Sequence, residues 1–246
     1  MIEKTLELHE ELSRAIQSPF NVVLEGESGV GKEYIAKLIH EERNWGGKFI
    51  VCDFEGMFQE QTRIVEQFTS QVFLERLREP KERDTLFIRR IDLLQGHLLA
   101  QLSDFFGELG KRGALSRNKL LSLGLIGSVQ TSGDKKSLNN IQLNKFLDSF
   151  FCLRIKILPL RERKKEIPKL VEKFISFFNQ EQKRNVLGVA VDALELLIKH
   201  DWPNNVCELR MEIERAATLT GDYQPLKPST LSGDLIESVS KKYSLR

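Results

Sequence analysis

Nothing in the 246 residues approaches the ~20 consecutive apolar positions of a membrane-spanning helix. Cysteine is scarce: Cys52, Cys152 and Cys207 are scattered without metal-ligand spacing, which suits a reducing cytoplasm. Each of the three reads as a small buried hydrophobe. No excess of one charge is present either, since 37 Lys and Arg oppose 35 Asp and Glu. The net charge of +2 argues neither for nor against nucleic acid. No internal repeat or low-complexity linker interrupts the chain. Its first ten residues, Met1 to Glu10, follow an acidic amphipathic helix pattern and not that of a signal peptide. What is there is the composition of an ordinary globular protein, 41% hydrophobic and 29% charged. The length suits one large or two modest domains with ample core, and a cytoplasmic location is expected.

Strand-like runs alternate with helical patterns through the first two-thirds. The strand candidates are Asn21–Glu25, Lys48–Cys52, Thr85–Arg89, Leu123–Val129 and Leu153–Leu158. Among the helices between them, Ile64, Val65, Phe68 and Val72 show the clearest 3.6-residue spacing. This alternation predicts an α/β fold with a parallel five-stranded sheet and helices on both faces. After Pro159 the pattern is helical only, with Ile167, Leu170, Val171, Phe174, Ile175 and Phe178 on one face of the first helix. The expected division is an α/β core over 1–159 and a helical subdomain over 160–246. Pro225, Pro228 and Gly233 suggest a weakly structured C-terminal tail.

The sharpest local signal lies at residues 22–33. The apolar run Val22–Leu24 ends at Gly26, and Gly29, Gly31 and Lys32 complete the spacing G-x-x-x-x-G-K. Glycines let the backbone turn its N–H groups around phosphates, Lys32 adds a point charge, and the following helix points its positive end there. That helix, from Lys32 to about Glu42, carries Ile35, Ala36, Leu38 and Ile39 on one apolar side. A strand before the loop and a helix after it are the context a phosphate-binding loop requires. ATP or ADP is the expected ligand, held by Gly26, Glu27, Ser28, Gly29, Val30, Gly31, Lys32 and Glu33. Glu33 stands where most such loops carry a magnesium-touching Ser or Thr, which leaves magnesium an open question.

Three segments together resemble the AAA+ domain of bacterial enhancer-binding proteins, the sigma-54-dependent transcription activators. Gly26-Glu-Ser-Gly-Val-Gly-Lys-Glu33 is similar to that family's G-E-S-G-T-G-K-E, including Glu33. Leu158-Pro-Leu-Arg-Glu-Arg163, followed by Glu166-Ile167-Pro168, resembles its L-P-P-L-R-E-R hinge into the lid. Trp202-Pro-Asn-Asn-Val-Cys-Glu-Leu209 resembles W-P-G-N-V-R-E-L. Their order and spacing cover about residues 10 to 235. The resemblance implies a P-loop AAA+ core with a helical lid.

Departures from the family pattern are as informative. The acid pair that holds magnesium and polarises water in the family is replaced by Arg89 and Arg90, within Thr85-Leu-Phe-Ile-Arg-Arg-Ile-Asp92. Cations neither ligate magnesium nor accept a proton, but they attract phosphate or acidic groups; the plain alternative is that they cap the strand in solvent. The sensor Asn matches Gln130, the lid arginine Cys207, and the switch Asn Asp53. An ungapped match puts Leu143 and Ser149 at the trans arginines, with Lys145 or Arg154 as substitutes. No G-A-F-T-G-A loop lies in Phe54–Asp84, which reads as a helix with a charged end, Glu75 to Asp84. Neither a receiver domain nor a helix-turn-helix is recognisable in these residues.

The resemblance thus implies a catalytically degenerate AAA+ regulator. Its expected partners are proteins, transcription-related or a hetero-oligomeric AAA+ neighbour. An active ATPase is the alternative and would need an acid from elsewhere. Asp53, Asp92 and Glu27 are the candidates, with Gln130 as sensor. Nucleic-acid binding through Lys111, Arg112, Arg117 and Lys119 is a less favoured third reading.

Overall fold

The computed structural model describes residues 2–55, 63, 66, 83–94, 96–111, 123–131 and 141–244. The helix expected within Phe54–Asp84 falls almost wholly outside these residues, as do the side chains of the basic cluster at 111–119. Two compact units make up the chain. One comprises Ile2–Gly26 with Lys32–Ile157; the other comprises Glu27–Gly31 with Leu158–Arg246.

The first unit runs α1 (Ile2–Gln17), β1 (Val22–Gly26), α2 (Lys32–Arg43), β2 (Gly46–Asp53), β3 (Arg83–Arg89), α3 (Gly96–Lys111), β4 (Gly124–Gln130), α4 (Ile141–Phe150) and β5 (Leu153–Lys156). All strand pairs are parallel, in the order β2-β3-β4-β1-β5. A parallel sheet is covered on both faces, so its inner strands read as continuous apolar runs. Val22, Val23 and Leu24 of β1 and Leu86, Phe87 and Ile88 of β3 are accordingly all buried. Gly127 of β4 allows close packing, because a Cβ there would press into Ile91 and Phe151. Leu98, Leu102 and Phe106 of α3 join Leu143, Phe146 and Leu147 of α4 in the core beside the sheet. Full burial of each such side chain contributes roughly 1.5–3 kcal/mol.

Parallel pairing brings the carboxyl ends of the strands to one edge, where α/β proteins place their ligands. Gly26 is registered with Gln130, and Asp53 with Arg89.

The second unit holds α5 (Ile167–Gln182), α6 (Val191–Lys199), α7 (Asn205–Leu219) and α8 (Gly233–Ser244). Pro168 sits in the first turn of α5, where a missing N–H costs nothing. Val171, Ile175 and Phe178 of α5 pack with Trp202, Leu209 and Ile213. The Trp202 indole donates to the Leu197 carbonyl at 2.8 Å.

Two expectations need correction here. The C-terminal tail is not weakly structured: Pro228 opens a short 3-10 turn, α8 follows, and Leu226, Leu231, Leu235 and Val239 are buried in the unit's core. Proline is harmless where a turn begins, and the apolar spacing of Leu235 and Val239 outweighs the breakers. The cysteines also differ from one another. Cys52 is buried, its thiol pushed above the usual range by desolvation, whereas Cys152 and Cys207 are exposed. Among the described residues, no helix is long and apolar enough to cross a membrane.

Candidate functional site

In the α/β unit, β1 ends at Gly26 and α2 begins at Lys32. The Lys32 ammonium donates to the Gly26 carbonyl at 2.8 Å. Burial lowers its pKa to about 8; Asp92 opposes that shift, while Arg90 and Arg89 add to it. Glu33, in the next position, pairs with Lys37 one turn on, at 3.0 Å.

Arg89 and Arg90 stand at the end of β3, and their partners lie within the same unit. Arg89 Nη1 is 3.0 Å from Asp53 Oδ2, Arg89 Nη2 is 2.9 Å from Glu55 Oε2, and Arg89 Nη1 is 4.0 Å from Glu33 Oε2. Arg90 turns the chain through the left-handed region, with φ 58°. That conformation is costly for a residue with a Cβ and is held from both ends. Its backbone N–H donates to Ser128 Oγ at 3.1 Å, and its guanidinium folds back on Asp92 at 3.0 Å. Arg90 Nη1 also reaches Glu55 at 3.4 Å. The two arginines therefore form an ion-pair network within the chain, Arg90 largely buried and Arg89 still partly in solvent.

This network occupies two of the three candidate acids, Asp53 and Asp92; the third, Glu27, pairs with Arg161. Asp53 is taken by Arg89. Asp92, with a side chain only 7% exposed, accepts from Arg90 and from the Gln130 backbone N–H at 2.9 Å. Gln130 thus meets Asp92 through its main chain. Glu55 was not foreseen, although the two-residue step from Asp53 around buried Phe54 was a usable signal.

The positions matched to trans arginines are accounted for as well. Leu143 is buried in the core, and the Ser149 hydroxyl donates to the Lys145 carbonyl. Arg154 is bound to Glu25 at 3.0 Å and to Asp148 at 2.5 Å.

The second unit contains the middle of the glycine loop, held by residues of the two lid motifs. Asn205 Nδ2 donates to the Ser28 carbonyl at 2.8 Å, the Cys207 N–H to the Gly29 carbonyl at 3.2 Å, and Arg163 Nη2 to the Val30 carbonyl at 2.8 Å. Arg161 donates to both Glu27 carboxylate oxygens through its two terminal nitrogens, Nη1 and Nη2. The peptide bonds are trans, so each C=O and the following N–H point opposite ways. Three successive carbonyls turned onto Asn205, Cys207 and Arg163 therefore direct the N–H groups of Gly29, Val30 and Gly31 away from those residues. Three such N–H groups in a row are what an anion nest offers.

Glycine is required at the first of these turns. Gly29 has φ 72°, and a Cβ there would collide with the Asn204 carbonyl. Asn205 is wholly buried and also accepts the Leu160 N–H at 2.8 Å. Arg161, Arg163 and Asn205 are letters of the two lid motifs, and the sequence alone shows no role for them because their partners lie some 130 to 180 positions away.

Residues 2–68 match the family model described as the sigma-54 interaction domain, and residues 161–245 match the one described as the AAA+ ATPase lid domain. Among curated proteins, the chain is 30% identical over 236 residues to the phenol regulator MopR of Acinetobacter guillouiae, covering 89% of this chain and 41% of that protein. It is 28% identical over 230 residues to the transcriptional regulatory protein ZraR of Escherichia coli K12, covering 87% and 51%. The chain thus spans about half the length of these relatives, or less. Among solved structures, NtrX from Brucella abortus in complex with ATP is similar with a TM-score of 0.70 at 16% identity, over 98% of this chain and 59% of that one. NtrX in complex with ADP gives a TM-score of 0.72 at 17% identity, over 95% and 54%. Those two likenesses concern the fold.

Proposed function

We propose that this chain, whose residues 2–68 match the sigma-54 interaction domain and residues 161–245 the AAA+ ATPase lid domain, is a nucleotide-binding, catalytically degenerate regulator acting through protein partners. Residues 1–159 serve in this reading as the nucleotide-binding core and 160–246 as the lid. ATP or ADP is held by Gly26 to Glu33, with the N–H groups of Gly29, Val30 and Gly31 and the Lys32 ammonium facing phosphate. The partners are transcription-related proteins or a hetero-oligomeric AAA+ neighbour, in the cytoplasm.

One observation carries the proposal: the phosphate-binding loop is intact, while Arg89 and Arg90 stand in place of the acid pair and engage Asp53 and Asp92. Binding relies on the loop; hydrolysis relies on a free carboxylate to activate water. A positioned base is worth roughly 10²–10⁴ in rate, so chemistry fails while binding persists. An active ATPase would have to release Asp53, Asp92 or Glu27 from its arginine.

Thermal denaturation with and without nucleotide tests the reading. At about 1,000 times the dissociation constant, linkage gives roughly 4 kcal/mol of stabilisation. The melting temperature should rise by several degrees, and Lys32→Ala should remove most of the rise. No shift in the unmodified protein, with no heat of binding by calorimetry, sinks the proposal.

A further inference from the structure

Magnesium accompanies the nucleotide in most P-loop proteins, and an acid pair holds it in the family this chain resembles. The residues at the carboxyl end of β3 do not fit it. Magnesium demands near-octahedral oxygen donors at about 2.0–2.1 Å. Arg89 and Arg90 carry donors only, and no lone pair to offer a cation. The nearby carboxylates are turned onto cations: Asp53 and Glu55 onto Arg89, Asp92 onto Arg90, and Glu33 onto Lys37. Among the described residues, no group of three or more His, Cys, Asp or Glu side chains is placed to hold a metal ion.

We infer that this site takes its nucleoside di- or triphosphate as the metal-free polyanion, with the Arg89 guanidinium supplying the counter-charge that magnesium supplies elsewhere. The inference rests on the nucleotide reading above and names the chemical form of that ligand. Arg89 suits the task better than Arg90. Its side chain is 40% exposed against 16%, whereas Arg90 is folded onto Asp92 and holds a turn. Arg89 also reaches the first turn of α2: its Nη1 is 4.0 Å from Glu33 Oε2.

A guanidinium offers two parallel N–H bonds that match phosphate oxygens as well as they match a carboxylate. Arg89 therefore exchanges Glu55, the more exposed of its two close partners, for phosphate when nucleotide arrives, and keeps Asp53 on its other terminal nitrogen. Metal-free ATP carries more negative charge than its magnesium complex. A site that answers phosphate with guanidinium gains nothing from the metal and binds the free form at least as well.

Calorimetric titration of the whole chain with ATP and with ADP, once in EDTA and once in excess magnesium, tests this. The dissociation constant in EDTA is expected to equal or fall below that in magnesium. Tightening by magnesium of about tenfold or more overturns the inference and leaves nucleotide binding standing. Absence of heat in both conditions overturns the nucleotide reading instead. Arg89→Gln keeps a polar side chain, shortened, and removes its charge. Its affinity in EDTA should fall about tenfold while that for the magnesium complex changes by less than about threefold. Unchanged affinity in EDTA, in a variant whose circular dichroism melting matches the parent, removes Arg89 from the role and overturns the inference.

Discussion

Arg89 and Asp53 sit opposite one another in the register of two parallel strands, with guanidinium nitrogen and carboxylate oxygen 3.0 Å apart. A cation where the family carries an acid, and an acid where it carries an amide, have come together as a pair. With each about 40% exposed, the pair contributes little to stability. In the reading proposed above its consequence is chemical, because it engages the Asp53 carboxylate with a cation.

The first prediction concerns turnover. Purified protein should release negligible phosphate from ATP, and Arg89→Asp combined with Arg90→Glu should recover only part of a family-like rate. Cys207 remains where the family has a lid arginine, and an arginine supplied to the reacting phosphate is worth roughly 10³–10⁵. Phosphate release per protein is the measurement, with Lys32→Ala as the control for contamination. A turnover of the order of 1 per second, abolished by Lys32→Ala, overturns the degenerate reading.

A second prediction is a pH dependence of nucleotide affinity. The Lys32 pKa in the free protein is lowered to about 8, and bound phosphate favours the charged amine and raises it. Affinity is therefore full below pH 8 and declines as pH rises through 8 toward the ordinary lysine value. The decline should approach tenfold per pH unit. Titrations between pH 7 and pH 10 should show it, and a flat profile would contradict the placement of Lys32 at phosphate.

The third concerns the tether of the glycine loop. Asn205→Ala removes the acceptor of the Leu160 N–H and the donor to Ser28 and Glu27, all near a fully buried side chain. It also places alanine at φ 55°. The expected cost is about 3 kcal/mol by urea unfolding, with weakened nucleotide affinity in the folded variant. A loss below about 0.5 kcal/mol, typical of surface substitutions, would mean that Asn205 does not anchor the loop.

The fourth concerns assembly. Arg154 is engaged by Glu25 and Asp148, and Leu143 is core. The candidate positions for reaching a neighbour's nucleotide are thus spent within the chain, apart from exposed Lys145. Light scattering should find a monomer or a weak association, unchanged by ATP. A stable ATP-driven ring would mean that Lys145 or a rearranged Arg154 serves in trans.

The strands, the glycine loop and the helical second unit were legible because their signals are local. Apolar runs such as Val22–Leu24, the spacing Gly26 to Lys32 and the stripe Val171, Ile175, Phe178 each specify an element over fewer than ten residues. The C-terminal segment was misread where two local signals compete. Pro225, Pro228 and Gly233 advertise a loose tail, while Leu235 and Val239 stabilise a helix only once a core is there to receive them.

By itself, the sequence determined that a G-x-x-x-x-G-K loop is present and that two arginines end the third strand, because both are matters of residue identity at a spacing. Only the tertiary structure decided what the arginines do. Parallel registration sets Asp53 against Arg89 across 36 positions, a left-handed turn folds Arg90 onto Asp92, and Asn205 meets Ser28 across 177. Such contacts depend on where the chain returns in space, and no local pattern of residues encodes that.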